Sequence, residues 1–180
     1  MIIGMTQLQD LLDRNRSFAR TNAKDDVPAI PFVPNMQAYI ITCIDPRVDP
    51  AHVLGLKLGD AIVDRNVGGR VTPAVLLNVG WVHHLHTQLA PTADWFEIAV
   101  IHHTDCGSGL FANEELRQVF ADASGLDETE LRRLAVIDPA ETAAADVRLL
   151  EESKLIGSQV AISGYVYDVD TGIVTRVAGQ

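Results

Sequence analysis

The feature that most constrains this fold is a set of short apolar segments that lack a regular polar alternation. They lie at residues 39–42, 61–63 and 96–101 and are rich in β-branched or aromatic side chains. Such side chains favour β-strands, and strands without a polar face are typical of sheets that helices cover on both sides. The sequence therefore predicts strands of a buried, mainly parallel sheet.

Helix-starting signals lie between and after these segments. Asp49-Pro50, Thr72-Pro73 and Asp138-Pro139 each place a capping side chain before a proline at the first helical position. A further apolar segment at 160–166 is followed by a turn and a short run at 173–177, which indicates a hairpin. We therefore expect an α/β fold, with a mainly parallel central β-sheet flanked by helices and a C-terminal antiparallel hairpin.

The first 36 residues differ in pattern from the rest of the chain. Thr6 and Gln9 form a capping-box pattern, and leucines at helical spacing follow, so we expect a helix up to about Phe18. Residues 21–36 contain three prolines and no sustained periodicity, which predicts an extended arm. We expect residues 1–36 to form this helix and arm, and residues 37–180 to form the α/β domain, with a single domain overall.

Charge and hydropathy argue against two kinds of partner. The chain has 24 acidic and 14 basic side chains and a net charge of −10, which would repel a phosphate backbone, so we expect no nucleic-acid partner. No apolar run approaches the roughly 20 residues that cross a bilayer, so we expect no membrane partner. The first residues lack the basic region of a signal peptide, and a cytoplasmic location is expected.

Both cysteines of the chain follow predicted strands. Cys43 ends the first apolar segment, and His103 and Cys106 come directly after the third. If these two strands are parallel neighbours, the three side chains meet at the carboxyl edge of the sheet, where open α/β sheets bind ligands. Two thiolates and one imidazole suit zinc. The sequence therefore predicts one Zn2+ per chain, held by Cys43, His103 and Cys106.

Three protein ligands leave one position of a tetrahedral zinc open, which is typical of catalytic sites. The ion lowers the pKa of a bound water from about 15.7 to about 7, so that hydroxide is available at neutral pH. Asp45 and Arg47 follow Cys43 closely, and the proline between them favours side chains that leave the loop on one side. A bidentate pair would keep Asp45 ionised and oriented, so both residues are candidate catalytic residues. An ordinary surface ion pair is the alternative.

Other polar residues have simpler interpretations. Asp105 lies inside the proposed ligand turn, and we expect it to cap the following element rather than to take part in catalysis. His83, His84 and His86 cluster on a predicted helix without a cysteine or carboxylate at matching spacing. We expect them to be surface or interface histidines, with metal binding or proton transfer as the less favoured alternatives.

The two halves of the proposed site together resemble the zinc site of the β-class carbonic anhydrases. That site reads Cys-Xaa-Asp-Xaa-Arg and then His-Xaa-Xaa-Cys-Gly, as residues 43–47 and 103–107 do here. Residues 59–69 are similar to the family's Gly-Asp strand and Arg-Asn turn, and residues 163–168 to its ending. The resemblance implies a lyase that hydrates CO2 reversibly to bicarbonate through a zinc-bound hydroxide.

The resemblance also implies two states for Asp45. It either pairs with Arg47 or swings in as a fourth zinc ligand in a closed form. This chain departs from many family members by having Pro46 where they have serine, which removes a hydroxyl and a backbone donor beside this pair. A homodimer or dimer-based oligomer is implied, with the N-terminal arm wrapped around the partner subunit.

Two other functions remain open at this point. Some relatives of the family hydrolyse carbonyl sulfide or carbon disulfide, which are also small linear electrophiles, at the same kind of site. A non-catalytic protein stabilised or regulated by zinc, in which Asp45 closes the site permanently, would contain the same motif.

Overall fold

A computed structural model describes residues 7–22, 33–90 and 97–179 of the chain. The chain divides into two units, Met1–Phe32 and Val33–Gln180. In the first unit, helix α1 spans Gln7–Arg20 and so ends slightly beyond the predicted boundary at Phe18. Thr6 of the predicted capping box and most of the predicted arm lie outside the described residues.

Five strands of the second unit form one sheet. They are β1 (Ala38–Cys43), β2 (Ala61–Asn66), β3 (Glu97–His103), β4 (Ala161–Tyr167) and β5 (Val174–Gly179). Their order is β2-β1-β3-β4-β5. The first four are parallel, and β5 runs antiparallel to β4. Together with the flanking helices, this arrangement confirms the predicted α/β fold and its terminal hairpin.

The helices of this unit begin largely where the sequence signals predict. They are α2 (Pro50–Val53), α3 (Pro73–Leu89), α4 (Glu114–Ser124), α5 (Glu128–Arg133) and α6 (Pro139–Glu151). The side chains of Asp49, Thr72 and Asp138 accept hydrogen bonds from backbone N–H groups in the first turns of α2, α3 and α6. These caps satisfy donors that no carbonyl of the same helix can reach. No helix among the described residues is long and apolar enough to span a bilayer.

The hydrophobic core lies between the sheet and helices α3 and α6. Ile41 and Val100 at the centre of the sheet and Leu150 of α6 are fully buried. Val75 and Val79 of α3 belong to the same cluster. Burial of each such aliphatic side chain contributes about 1.5–3 kcal/mol. This core fixes the relative positions of β1 and β3.

A buried polar network ties α6 to the loop that follows β2. The carboxylate of Asp146, which is fully buried, accepts hydrogen bonds from Arg70 Nε and Nη2 at 2.7 and 2.9 Å and from the Val71 N–H at 3.0 Å. Nε2 of His102, also fully buried, lies 3.3 Å from the same carboxylate. Because a buried carboxylate is costly without partners, this network holds the loop against α6.

The strand register determines where candidate site residues meet. β1 and β3 are parallel neighbours, with Thr42 opposite Ile101. Cys43 and His103, the last residues of these two strands, therefore leave the sheet at the same carboxyl edge. This is the neighbour relation on which the predicted zinc site depends.

Candidate metal centre

The structure brings Cys43, His103 and Cys106 together at this edge. Their ligand atoms all lie within 4.8 Å of one another, and the two sulfurs are 3.9 Å apart. Cys43 and His103 are buried, whereas Cys106 is partly exposed. In the part of the chain that the structure describes, no other group of three histidine, cysteine or acidic side chains could hold a metal.

The imidazole of His103 is oriented as a metal ligand requires. Its Nδ1 lies 2.9 Å from the carbonyl oxygen of Thr104 and donates to it, which leaves a lone pair on Nε2. Nε2 is buried and makes no hydrogen bond of ordinary geometry among the described residues, and the Cys43 thiol is its close neighbour. A buried polar atom without a partner is costly, and a metal ion at this position would satisfy it.

The sulfur positions fit zinc as well. Two thiolates bound to one tetrahedral zinc, each at about 2.3 Å, stand about 3.8 Å apart. The observed separation is 3.9 Å. The three side chains therefore fit a zinc ion in donor type, orientation and spacing.

The two thiols differ in acidity because they share a hydrogen bond. Donation from Cys43 lowers the pKa of Cys106 to about 6, and a further contact from Ser108 Oγ at 3.1 Å acts in the same direction. The same thiol pair, together with burial, raises the pKa of Cys43 to about 12. One thiolate therefore forms at neutral pH, and a divalent cation would favour ionisation of the second.

Asp45 and Arg47 form a forked ion pair beside this cluster. Arg47 Nη2 lies 2.7 Å from Asp45 Oδ2, and Nε lies 3.1 and 3.2 Å from the two carboxylate oxygens. The Arg47 backbone N–H donates to Oδ1 at 2.8 Å, because Pro46 begins a short 3-10 turn that Asp45 caps. The hydrogen bonds from Arg47 lower the pKa of Asp45 to about 2. Of the two states expected for Asp45, the structure therefore shows the one in which it is paired with Arg47.

Arg65 is a residue of this site to which the sequence assigned no role. It is the penultimate residue of β2, and its Nε donates to the carbonyl of Cys43 at 2.9 Å. Its Nη2 donates to the carbonyl of Asp45 at 2.8 Å, and its Nη1 to the carboxylate of Asp49 at 2.8 Å. Arg65 therefore fixes the backbone of the loop that carries Cys43 and Asp45. The available signal was its position just after the apolar segment 61–63, at the predicted carboxyl edge of the sheet.

The capping role that we expected for Asp105 is wrong. Cys106, not Asp105, precedes the short 3-10 segment Gly107–Ala112. The Asp105 carboxylate accepts a hydrogen bond from Arg47 Nη1 at 2.8 Å, and its carbonyl accepts one from Nη2 at 2.9 Å. Arg47 therefore contacts both loops of the candidate site.

The histidines of α3 are not part of this cluster. His86 is only 2% exposed, which corrects the expectation of a surface position. It lies two turns after Val79 and so shares the helix face that packs on the core. His83 accepts a hydrogen bond from the Gly157 N–H at 3.1 Å. His84 is exposed and stacks on Trp81.

Comparisons with known proteins agree with this geometry. The family model described as carbonic anhydrase matches residues 38–121. β-Carbonic anhydrase 1 of Mycobacterium tuberculosis is 30% identical over 173 residues, which cover 96% of this chain and 99% of that protein. The carbon disulfide hydrolase of an Acidianus strain is 32% identical over 161 residues, covering 76% of this chain and 75% of its own.

A solved structure shows the same relationship at the level of the fold. The crystal structure of carbonic anhydrase from Streptococcus mutans aligns with a TM-score of 0.78 and 34% identity, covering 98% of this chain and 100% of the other. Similarity thus extends over nearly the whole chain, beyond the segments that carry the candidate ligands.

Proposed function

This chain belongs to the β-class carbonic anhydrases, and from that premise we propose that it hydrates carbon dioxide reversibly to bicarbonate with one bound zinc ion. The observation that carries the proposal is the convergence of two sulfurs and one buried imidazole nitrogen within 4.8 Å, beside an ion-paired carboxylate. This combination is what metal-assisted hydration needs: a metal site and an oriented hydrogen-bond acceptor.

Cys43, His103 and Cys106 would hold the ion. Zinc, when bound, acidifies a water molecule and so supplies hydroxide at neutral pH. The Thr104 carbonyl fixes the imidazole of His103 through Nδ1, and Ser108 donates a hydrogen bond to the Cys106 sulfur. These contacts hold two of the proposed ligands in one geometry, which reduces the reorganisation that the reaction requires.

Asp45 orients the nucleophile in this proposal. Its carboxylate accepts a hydrogen bond from the attacking oxygen, so that a lone pair of that oxygen faces the carbon of CO2. Arg47 keeps the carboxylate ionised and limits its rotation, since its N–H groups contact both oxygens. Arg65 restrains the backbone of the same residue, since its Nη2 donates a hydrogen bond to the carbonyl of Asp45.

Asp45 has a second position in the proposal. In that position the carboxylate would leave Arg47 and hold the ion together with Cys43, His103 and Cys106, which would close the site to substrate. The pairing with Arg47 supports the open form as the working state. A permanently closed, regulatory protein is the alternative that this pairing disfavours.

We propose a homodimer or a dimer-based oligomer as the working assembly. Several large apolar side chains of the second unit are exposed, among them Leu110, Val119 and Leu126. If another copy covers such side chains, their apolar surface is removed from water, and this burial favours association. Light scattering coupled to size-exclusion chromatography measures the assembly directly, and a monomer at micromolar concentration would contradict the proposed oligomer.

The cytoplasmic location of the protein stays a prediction.

A second candidate function rests on the relatives that hydrolyse carbon disulfide. The Acidianus protein is 32% identical over 76% of this chain, against 30% over 96% for the mycobacterial carbonic anhydrase. Carbon disulfide and carbonyl sulfide are linear electrophiles like CO2, so the same oriented nucleophile could attack their carbon. Hydrolysis of carbonyl sulfide consumes one water and releases CO2 and hydrogen sulfide.

The test measures both reactions on protein of known zinc content. Stopped-flow CO2 hydration is run beside sulfide release from carbonyl sulfide and carbon disulfide. We expect fast hydration by the wild type and a loss of about 100-fold in Asp45→Asn, which keeps the side-chain shape and removes the charge. Asp122→Asn, the same change at an exposed site on α4, is the matched control.

Each result assigns the function. Sulfide release without hydration would move the assignment to the hydrolase. Zinc binding with neither activity would favour the regulatory protein and contradict the proposal.

A further inference from the structure

Asp105 carries an inference that rests on the proposed function and extends it. We propose that Asp105 is a positioning residue, which holds the Arg47 guanidinium in place both when Asp45 is paired with it and when Asp45 has left. Asp105 would act on the reaction through Arg47 and Asp45, without contact with the substrate.

The hydrogen-bond pattern around Arg47 separates the two aspartates. Asp45 accepts from Nε and from Nη2, whereas the Asp105 carboxylate accepts from Nη1 at 2.8 Å. The Asp105 carbonyl takes a further Nη2 hydrogen bond at 2.9 Å. Because a guanidinium has five N–H donors in a rigid plane, it can satisfy both partners at once. The contacts to Asp105 therefore remain available when Asp45 moves.

The backbone of Asp105 explains how one residue presents two acceptors. Its φ is +53°, in the left-handed region, and Gln37 is the only other non-glycine residue with a positive φ among those described. Aspartate is one of the few side chains that tolerate this region. In this conformation the carbonyl and the carboxylate of Asp105 both reach Arg47.

The contact also joins the two loops that carry the proposed ligands. Arg47 lies four residues after Cys43, and Asp105 lies between His103 and Cys106. The pair therefore connects positions 58 residues apart in the chain, next to the candidate metal site. A movement of one ligand loop relative to the other would break this contact, and the side chains of Arg47 and Asp105 are 46% and 78% exposed.

Because both side chains are exposed, a positioning role of Asp105 can be tested without a large effect on folding stability. Exposed ion pairs contribute little to the free energy of unfolding, because water solvates both charges in the unfolded chain and competes in the folded one. Loss of the carboxylate in Asp105→Gly, which adopts the left-handed backbone without strain, is therefore expected to leave the melting temperature nearly unchanged. Its effect should be seen in the order of the Arg47 side chain and in turnover.

The test removes the carboxylate in two ways and restores the hydrogen bond in a third. Asp105→Gly removes the carboxylate and keeps the left-handed backbone without strain. Asp105→Ala is a second variant without the carboxylate, so that the test does not depend on the folding of a single variant. Asp105→Asn keeps an oxygen that can accept from Nη1 and tolerates positive φ. Asp122→Asn on α4, whose carboxylate contacts Gln118, is the matched control.

Two readouts are taken on each zinc-loaded protein. The first is the 15Nε–H resonance of Arg47, assigned with Arg47→Lys, and its rate of exchange with water. The second is the steady-state kinetics of CO2 hydration. In both removal variants we expect the Nε–H exchange to accelerate and kcat to fall about tenfold, with KM within about twofold. Asp105→Asn should restore most of both losses, and the control should match the wild type.

The outcomes distinguish the two proposals. An unchanged Arg47 resonance in both removal variants would overturn the positioning role, whatever the activity. Equal losses in Asp105→Asn and the removal variants would also overturn it, because the restored hydrogen bond would then have no effect. A wild type that does not hydrate CO2 would contradict the proposed function, and the Arg47 resonance would still decide the role of Asp105.

Discussion

Asp45 and Arg47 act as a unit, because four hydrogen bonds from the arginine fix the two oxygens of the carboxylate. Their pairing could be predicted from the sequence, since the residues lie two positions apart around a proline. The contact between Arg47 and Asp105 could not, because it joins residues that are 58 positions apart and depends on a left-handed backbone turn. Long-range contacts of exposed side chains leave no local signal in a sequence.

Replacement of Arg47 tests the unit directly. Arg47→Ala removes the side-chain hydrogen bonds that Asp45 accepts from this arginine, so we expect kcat to fall about 10- to 100-fold while the zinc content stays unchanged. Arg47→Lys keeps the charge but lacks the planar fork, and an intermediate loss is expected. Stopped-flow hydration and zinc analysis of the purified variants give both numbers. Full turnover in Arg47→Ala would show that the ion pair is an ordinary surface contact.

Removal of a proposed ligand tests the metal centre by its effect on stability. Zinc that binds the folded chain but not the unfolded chain raises the melting temperature. A strong chelator should therefore lower the melting temperature of the wild type by roughly 10 °C. Cys106→Ala should be purified with little zinc, and its melting temperature should not respond to the chelator. Calorimetry with and without chelator makes the comparison. An equal response in both proteins would place the metal elsewhere.

At the scale of elements, the sequence predicted the sheet and most helix starts because their causes are local. β-Branched segments and Asp-Pro or Thr-Pro caps act within a few residues. The burial of His86 was missed, because α3 carries apolar side chains on more than one face. Their pattern therefore does not show which face packs on the sheet. Arg65 was missed for a related reason: its partners, the carbonyls of Cys43 and Asp45, belong to a neighbouring strand and loop.

The close approach of the turn after β2 to the end of β1 gives a prediction at this scale. A Cβ on Gly69 would lie 2.7 Å from the carbonyl carbon of Thr42, directly before Cys43, and φ there is +66°. Gly172 has a similar φ of +72° but no atom within 4 Å of a built Cβ. We therefore expect Gly69→Ala to lose about 2 kcal/mol more than Gly172→Ala. Urea unfolding of both variants measures the difference, and equal losses would contradict the packing argument.

At the scale of the whole molecule, the network around Asp146 links stability to pH. Burial alone would raise the pKa of Asp146, but hydrogen bonds from His102 and Arg70 outweigh it and leave the pKa below its usual range. The unfolded chain then binds a proton at higher pH than the folded one. The stabilisation is therefore complete above the ordinary aspartate pKa and is lost as the pH falls through the lower folded value.

Asp146→Asn tests this link. It leaves Arg70 without its buried counter-charge, so we expect a loss of about 3–5 kcal/mol at pH 7. The difference from the wild type should shrink as the pH falls below the ordinary aspartate pKa, because Asp146 of the unfolded wild type then binds a proton that the folded chain does not yet bind. Urea unfolding from pH 7 to pH 3 follows this difference, with Asp122→Asn as the control. A difference that stays constant with pH would assign the loss to packing alone.

CO2 hydration by the zinc-bound chain is the property from which the proposed roles of Asp45, Arg47 and Asp105 follow. The most direct measurement is stopped-flow CO2 hydration by three samples of one preparation: as purified with its zinc content determined, after zinc removal, and after zinc is restored. We predict rapid hydration at about one zinc per chain, loss with the metal, and recovery on its return. Hydration that is absent at full zinc occupancy, or that survives zinc removal, would show that this chain is not a zinc-dependent carbonic anhydrase.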